Sequence, residues 1–333
     1  MKKNISRRKF VKTGLAATAG IALAPSANLK SIKNPYDPKG LPTRPLGNTG
    51  LSVPLLGFGC GSRWMAVQDD DKALEILEHA LNNGIYYWDT AASYGNEMIS
   101  SEERVGKLLK DKRKDVILVS KTHEREADRA KECIERSLER LQTDFIDIMH
   151  VNSIEGVEDA ESLGKKAKVL EVLHDYRNQG IIRHIGFTGH SSAEGMKRAA
   201  ELYDFEVMMI AMNHQVKSGE EQFEEHAVPY AAKKGMGVVA MKVIRPRETV
   251  QGIDPAMLLR YSLSLDNISI ANIGTDNIDI LNKNLDVIRN FQPLDKGQMQ
   301  QIEAALDPFI RHKNLEWMQP GYVDGNVRAG YLA

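Results

Sequence analysis

Three scarcities frame this sequence of 333 residues. Cysteine is nearly absent. Cys60 and Cys133 are the only two, without CxxC or metal-type spacing, so a disulfide framework is unsupported and cysteine metal ligation is excluded. Neither sign of charge is in excess: 44 Lys+Arg stand against 45 Asp+Glu, for a formal net charge of -1. No basic cluster interleaved with aromatics occurs after residue 45, which argues against a nucleic-acid partner. Long hydrophobic runs are also missing. The apolar stretch from Thr13 to Ala24 holds about a dozen residues of Ala, Gly, Leu, Ile and Thr, too few to cross a bilayer core of roughly 30 Å as a helix.

The residues around that stretch suggest its purpose. Lys2, Lys3, Arg7, Arg8 and Lys9 precede it and Ala22-Leu23-Ala24 closes it, the three-part build of an export signal. Ser6-Arg7-Arg8-Lys9-Phe10-Val11-Lys12 resembles the twin-arginine translocation signal at every position of its usual pattern. The plain alternative is a basic, frayed helix. Pro25 suits signal-peptidase cleavage poorly, so the cut falls later or the segment stays as a tether. The expected organisation is a signal segment over 1–27, a polar linker over 28–42 and one domain over 43–333, exported to the periplasm or beyond through the twin-arginine machinery. The roughly 290 residues after Pro42 suffice for one large α/β domain.

Within that domain, eight short runs rich in β-branched and apolar residues recur: 53–59, 85–90, 115–122, 145–152, 182–189, 206–213, 236–243 and 268–275. Segments with helical spacing separate them, such as Cys133, Ile134, Leu138 and Leu141 with charged residues on the opposite side. Eight near-continuously apolar strands alternating with helices predict a closed parallel (β/α)8 barrel, whose strands are covered on both faces. The runner-up, a doubly wound open sheet, needs a glycine-rich phosphate loop. Its candidate, Gly-Phe-Gly-Cys-Gly-Ser, runs into Arg63-Trp64 rather than a helix start. Ahead of the first strand, Gly47-Asn48-Thr49-Gly50 predicts a hairpin turn whose apolar flanks plug the barrel floor. A helix near Lys296 to Ile310 and a glycine-bearing tail follow the eighth unit, and such a tail can lie over a site.

A barrel of this kind places its chemistry at the C-terminal strand ends. Those ends supply Asp89, Tyr94 in the following loop, Lys121, and His150 with Asn152. An Asp89–Lys121 ion pair beside Tyr94 favours the phenolate and suits the tyrosine for proton transfer. Such a relay can give a proton to a carbonyl oxygen while something else delivers hydride to the carbon. Protein side chains supply no hydride, so a nicotinamide cofactor is implied.

Here the residues resemble a family. Trp88-Asp89-Thr90-Ala91-Ala92-Ser93-Tyr94-Gly95, Ser120-Lys121-Thr122, the Thr143-Asp144-Phe145-Ile146-Asp147 run and the N-terminal segment from Pro45 to Gly61 are similar to the aldo-keto reductases over about Arg44 to Ile288. The resemblance implies a (β/α)8 barrel, NAD(H) or NADP(H) bound across the strand ends, a small aldehyde, ketone or sugar-derived carbonyl or alcohol as substrate, and a site of Asp, Tyr, Lys and usually His. Asp89, Tyr94 and Lys121 match. The histidine stands five residues after the aspartate in most relatives, which gives Asn152, while His150 comes two residues early. Both share one strand face, so both stay candidates, with register favouring Asn152. Asparagine there resembles the potassium-channel β subunits, a branch of the family.

The implied cofactor positions depart further. Thr188 and Gly189 stand where relatives carry Ser-Asn, Met209 where they carry glutamine, and Met241 where an aromatic often stacks on the nicotinamide, with Lys242 beside it for a pyrophosphate. Gly274-Thr275 before a helix offers backbone N–H groups to a phosphate. Asn284 matches the adenine-side asparagine of relatives. Asp276 occupies ground where NADP users often place a base; its carboxylate repels a 2′-phosphate and accepts from a ribose hydroxyl, which favours NAD. Two other readings stay open: a lyase with Lys121 as Schiff base, and a binding module that retains cofactor and senses redox state.

Overall fold

The computed structural model describes residues 34–95, 99–190, 192–211, 226–311, 314, 315 and 317. The expected signal segment, residues 28–33 of the linker and most of the C-terminal tail lie outside them, as do Met212 and Asn213 at the end of the sixth strand run.

A hairpin of β1 (Thr43–Pro45) and β2 (Ser52–Pro54) leads into eight parallel strands: β3 (Leu56–Gly59), β4 (Tyr87–Asp89), β5 (Ile117–Thr122), β6 (Ile146–Val151), β7 (Ile182–Gly189), β8 (Val207–Ala211), β9 (Gly237–Met241) and β10 (Ile268–Ile273). They close in sequence order, β10 pairing back onto β3 through Ala271↔Leu56 and Ile273↔Phe58. Except for Arg183 and His184 at the start of β7, every barrel-strand residue is buried. That two-sided burial is why each strand reads as an unbroken apolar run.

The outer layer is formed by α1 (Ser62–Met65), α2 (Asp70–Asn82), α3 (Ser101–Lys112), α4 (Ala127–Leu141), α5 (Val157–Ser162), α6 (Val169–Gln179), α7 (Ala193–Leu202), α8 (Val228–Lys233), α9 (Pro255–Ser264), α10 (Ile278–Arg289) and α11 (Lys296–Arg311). In α4 the buried residues Ala130, Cys133, Ile134, Ser137 and Leu141 recur at three- and four-residue intervals, giving the helix one face for the barrel. Starts are marked by side-chain caps: Asp69 accepts from Lys72 N and Ser192 from Gly195 N, each worth about 1 kcal/mol. None of the described helices is long and apolar enough to cross a membrane.

Two expectations are corrected. A helix does begin after Gly-Phe-Gly-Cys-Gly-Ser: Ser62–Met65 make one turn, because Trp64 folds inward, donates from Nε1 to Ala73 O at 2.8 Å and meets Phe58 edge-on. Closure of the barrel nonetheless excludes the open sheet. Residues 34–42 are also more than a linker. Tyr36 stacks on Tyr86 with ring centroids 5.0 Å apart, Asn34 donates to the Tyr86 hydroxyl, and Leu41 is buried.

The floor is filled as the hairpin predicts. Leu46 is fully buried and occupies the space a side chain at Gly237 would need, since a Cβ there would lie 2.5 Å from Leu46 Cδ1. At the turn, Gly47 has φ +53 and approaches the β9 backbone so closely that a Cβ would fall 2.2 Å from Gly237 N.

Candidate active site

Beyond the C-terminal end of β4, one buried ion pair organises the mouth. Lys121 Nζ donates to Asp89 Oδ2 and to Thr90 O, both at 2.7 Å. The two side chains are 0% and 3% exposed, so neither charge would persist here alone. Asn272, from β10, donates from Nδ2 to the same Asp89 oxygen at 3.0 Å. The ammonium also lies 4.7 Å from the centroid of the Tyr94 ring. Asp89, Tyr94 and Lys121, which stand on three consecutive segments of the sequence, are thus brought together.

The loop that carries Tyr94 is held at both ends. Tyr94 N donates to Ala91 O, and Ser101 N donates to Tyr94 O at 3.0 Å. Below it, the Ser101 hydroxyl donates to Cys60 O and meets the Thr90 hydroxyl, both at 2.7 Å, tying the start of α3 to the β3 and β4 loops. Gly61 lies directly under the phenol: a Cβ there would touch the Tyr94 ring at 3.2 Å.

His150 and Asn152 sit differently from Tyr94. His150 is fully buried, and neither ring nitrogen has a hydrogen-bond partner among the described residues. Burial, reinforced by the Lys121 charge, holds its pKa well below the ordinary imidazole range. The ring occupies space left by Gly186, where a Cβ would lie 2.5 Å from Nδ1. Asn152 is also fully buried. Its Oδ1 accepts from the Thr188 hydroxyl at 2.5 Å and its Nδ2 donates to His123 Nε2 at 2.8 Å. The Thr188 hydroxyl, expected at the cofactor, is engaged here and also accepts from Ser153 N at 2.8 Å. Gly189 serves close packing, since a Cβ would lie 2.3 Å from Met196 Sδ. Met209 is fully buried in β8. None of Thr188, Gly189, Met209, His150 and Asn152 lines the cleft described next.

That cleft runs from Tyr94 and Asp89 across the ends of β9 and β10. Met241, Lys242, Gly274, Thr275 and Asp276 line it together with Gly59, Gly61, Arg63, Arg245, Arg247 and Asn272. Lys242 takes a left-handed φ of +61, uncommon for a residue with a side chain and characteristic of functional loops. Asn277 caps α10, accepting from Asp279 N and Ile280 N, and the helix follows directly on the Gly274-Thr275-Asp276 segment. Arg63 pairs with Asp276 at 3.2 Å, and Arg245 donates to the Ser62 hydroxyl at 2.7 Å.

These residues fit a dinucleotide. Gly59 and Gly274 keep the cleft's backbone accessible, a Cβ on Gly274 lying 2.9 Å from Gly59 O. Cationic side chains of the β9 loop and a helix N-terminus suit phosphates. Asn284, one turn beyond the cleft-lining Ile280, is buried with Nδ2 lacking a partner among the described residues, an orphaned donor of the kind a ligand satisfies. Among the described residues no cluster could hold a metal ion.

Arg63, Arg245, Asn272 and His123 were not singled out by sequence reasoning. Only Asn272 carried a signal: it is a polar residue alternating with Ile268 and Ile270 on one face of its strand. Arg63 and Arg245 stand in single short turns of helix and His123 in a loop, segments too short for periodicity to mark them.

Such a site separates the two halves of a redox reaction, with a proton handled by protein groups and hydride left to a bound nicotinamide, and this defines an NAD(P)-dependent oxidoreductase. The model of the aldo/keto reductase family matches residues 56–245, from the start of β3 to just past β9. The chain belongs to that family. It is 28% identical to the L-galactose dehydrogenase of Arabidopsis thaliana over 316 residues, 82% of this chain and 96% of that protein. It is 28% identical over 228 residues to the D-threo-aldose 1-dehydrogenase of a Pseudomonas species, 58% of this chain and 67% of that one. Among solved structures, PA4992 of Pseudomonas aeruginosa, assigned to the aldo-keto reductases, is similar at a TM-score of 0.62 and 30% identity, covering 74% of this chain and 94% of its own.

Proposed function

We propose that this protein is an aldose dehydrogenase or reductase that uses NAD(H), with Tyr94 as the group that moves the proton. The carrying observation is the position of the Lys121 ammonium, bonded to Asp89 and 4.7 Å from the Tyr94 ring centroid at the inner end of the cleft. A dinucleotide held along Met241, Lys242, Gly274, Thr275 and Asp276 would supply the hydride chemistry at the sugar carbon. Tyr94 holds the exchangeable proton at its phenol oxygen and passes it to the carbonyl oxygen in reduction, or takes it from the hydroxyl in oxidation. The positive charge on Lys121 stabilises the negative charge that develops on the phenol oxygen, and Asp89 with Thr90 O keeps that ammonium in place.

The sugar substrate is supported by the relatives, two of which are named for dehydrogenation of L-galactose and of D-threo-aldoses. The NAD preference is supported by Asp276, whose carboxylate faces the cleft and is oriented by Arg63. The twin-arginine pattern at Ser6 to Lys12 supports export of the folded protein with its dinucleotide already in place.

Tyr94→Phe tests the reading, with NAD⁺ and a panel containing L-galactose and other aldoses. Turnover should fall by about 10²- to 10⁴-fold, as for loss of a general acid, while dinucleotide affinity, read by fluorescence quenching, holds. Parental turnover by the phenylalanine variant would end the proposal. Tight dinucleotide binding without turnover of any carbonyl or alcohol would instead make the protein a redox-sensing binding module.

A further inference from the structure

One buried carboxylate takes no part in the chemistry above. Glu102, in the first turn of α3, is 0% exposed. It follows Ser101, whose backbone and hydroxyl fasten the Tyr94 loop. Its Oε1 accepts from the Ser120 hydroxyl at 2.7 Å. Ser120 precedes Lys121 in β5, and because side chains alternate along a strand, Lys121 points into the barrel while Ser120 points out to the helices. Burial raises the pKa of the Glu102 carboxyl, and the Ser120 hydroxyl and the Arg140 charge are among the groups that oppose the rise.

The other carboxylate oxygen leads to the Tyr94 loop. Oε2 has no hydrogen-bond partner among the described residues and lies 3.8 Å from Nη1 of Arg140, in the last turn of α4. That same Nη1 donates to Ala92 O at 3.3 Å, while Ala92 N donates to Lys121 O at 3.1 Å. Ala92 is two residues from Tyr94. The guanidinium therefore stands between a fully buried anion and the backbone of the loop that carries the phenol. Its own backbone is packed hard against α3, since a Cβ on Gly106 would fall 2.2 Å from Arg140 O. Glu103 Oε1, 3.9 Å from Arg140 Nε, is a second anion, but at 61% exposure it is weakly coupled.

We propose that Arg140 is the positioning residue that sets the Tyr94 loop against Lys121, with Glu102 as its buried counter-charge. The inference rests on the oxidoreductase reading above. Neither side chain lines the cleft, so neither meets cofactor or substrate. The effect passes from Arg140 through Ala92 O to Tyr94, and from Glu102 through Ser120 to Lys121. An error of about 1 Å in where the phenol stands is enough to cost about 10²-fold in rate.

The experiment compares Arg140→Met, Arg140→Lys, the double variant Arg140→Met/Glu102→Gln and Tyr94→Phe in the full chain, with NAD⁺ and the aldose panel. Thermal midpoint, kcat and NAD⁺ affinity by fluorescence quenching are read for each. Arg140→Met leaves Glu102 buried without its cation, so the midpoint should fall. The double variant removes that charge and keeps an amide oxygen for Ser120, so the midpoint should return to that of the parent. For the best aldose, kcat should fall by about 10- to 10²-fold in Arg140→Met and stay there in the double variant. A role in stability alone would instead restore kcat together with the midpoint. Arg140→Lys, which keeps a cationic donor at this place, should turn over faster than Arg140→Met. NAD⁺ affinity should hold throughout. Parental kcat in the double variant, with Tyr94→Phe inactive, would overturn this inference and leave the proposed function standing. So would a loss of NAD⁺ affinity in step with kcat, since the cleft itself would then be disturbed. A double variant that melts as low as Arg140→Met would overturn the pairing of Arg140 with Glu102 and the inference with it. Parental turnover in Tyr94→Phe would remove both readings.

Discussion

Replacing the charged pair at the heart of the site should separate stability from activity. Lys121 and Asp89 are 0% and 3% exposed and bonded at 2.7 Å. In Asp89→Leu the ammonium keeps only Thr90 O, and Asn272 Nδ2 loses its acceptor. An uncompensated buried charge of this kind costs about 3–5 kcal/mol. At roughly 2–4 °C per kcal/mol for large single domains, the thermal midpoint falls by about 6–20 °C. The double variant Asp89→Leu/Lys121→Met removes both charges and fills their space with apolar atoms. Buried ion pairs replaced in this way are commonly neutral to stabilising by about 1–4 kcal/mol, so the double variant should melt at or above the parent. It should nonetheless be inactive, since Tyr94 then has no cation beside it. Calorimetry on the four members of the cycle gives the coupling directly. A double variant that melts as low as Asp89→Leu would show that the destabilisation comes from packing, and the charge argument would be wrong.

Two further outcomes follow from the same geometry. The depressed pKa of His150 means that, below the ordinary imidazole value of about 6.5, the unfolded chain takes up a proton that the folded chain refuses. Its stability contribution is complete above that pH and is lost on acidification at up to about 1.4 kcal/mol per pH unit. His150→Leu should therefore flatten the fall in urea-unfolding free energy between about pH 6.5 and 5, and equal slopes in parent and variant would contradict the burial. On the NAD reading, Asp276→Ser should shift kcat/KM toward NADP⁺ by about tenfold, the equivalent of about 1.4 kcal/mol. A parent that prefers NADPH a hundredfold would refute the role given to Asp276.

What could be read beforehand, and what could not, divides along physical lines. The eight strands were legible because a closed barrel buries both faces of each, and burial writes itself as uninterrupted apolar sequence. The hairpin was legible because Gly47 and Gly50 hold positive φ. Asp89 and Lys121 stood out as charges at the ends of such runs. Pairings across the mouth left no comparable trace. Arg63 meets Asp276 across 213 positions of sequence, and His123 meets Asn152 across 29. Nothing local distinguishes Arg63 or His123 from ordinary surface residues. His150 and Asn152 could not be ranked by alternation because they share a face; what distinguishes them is the depth and the partners of each, and those are tertiary facts.

The Leu46 plug has a consequence for traffic. With Leu46 seated against the start of β9, the described cleft opens at the opposite, C-terminal ends of the strands. A dinucleotide reaching it would come in past the same strand ends that carry Asp89 and the Tyr94 loop.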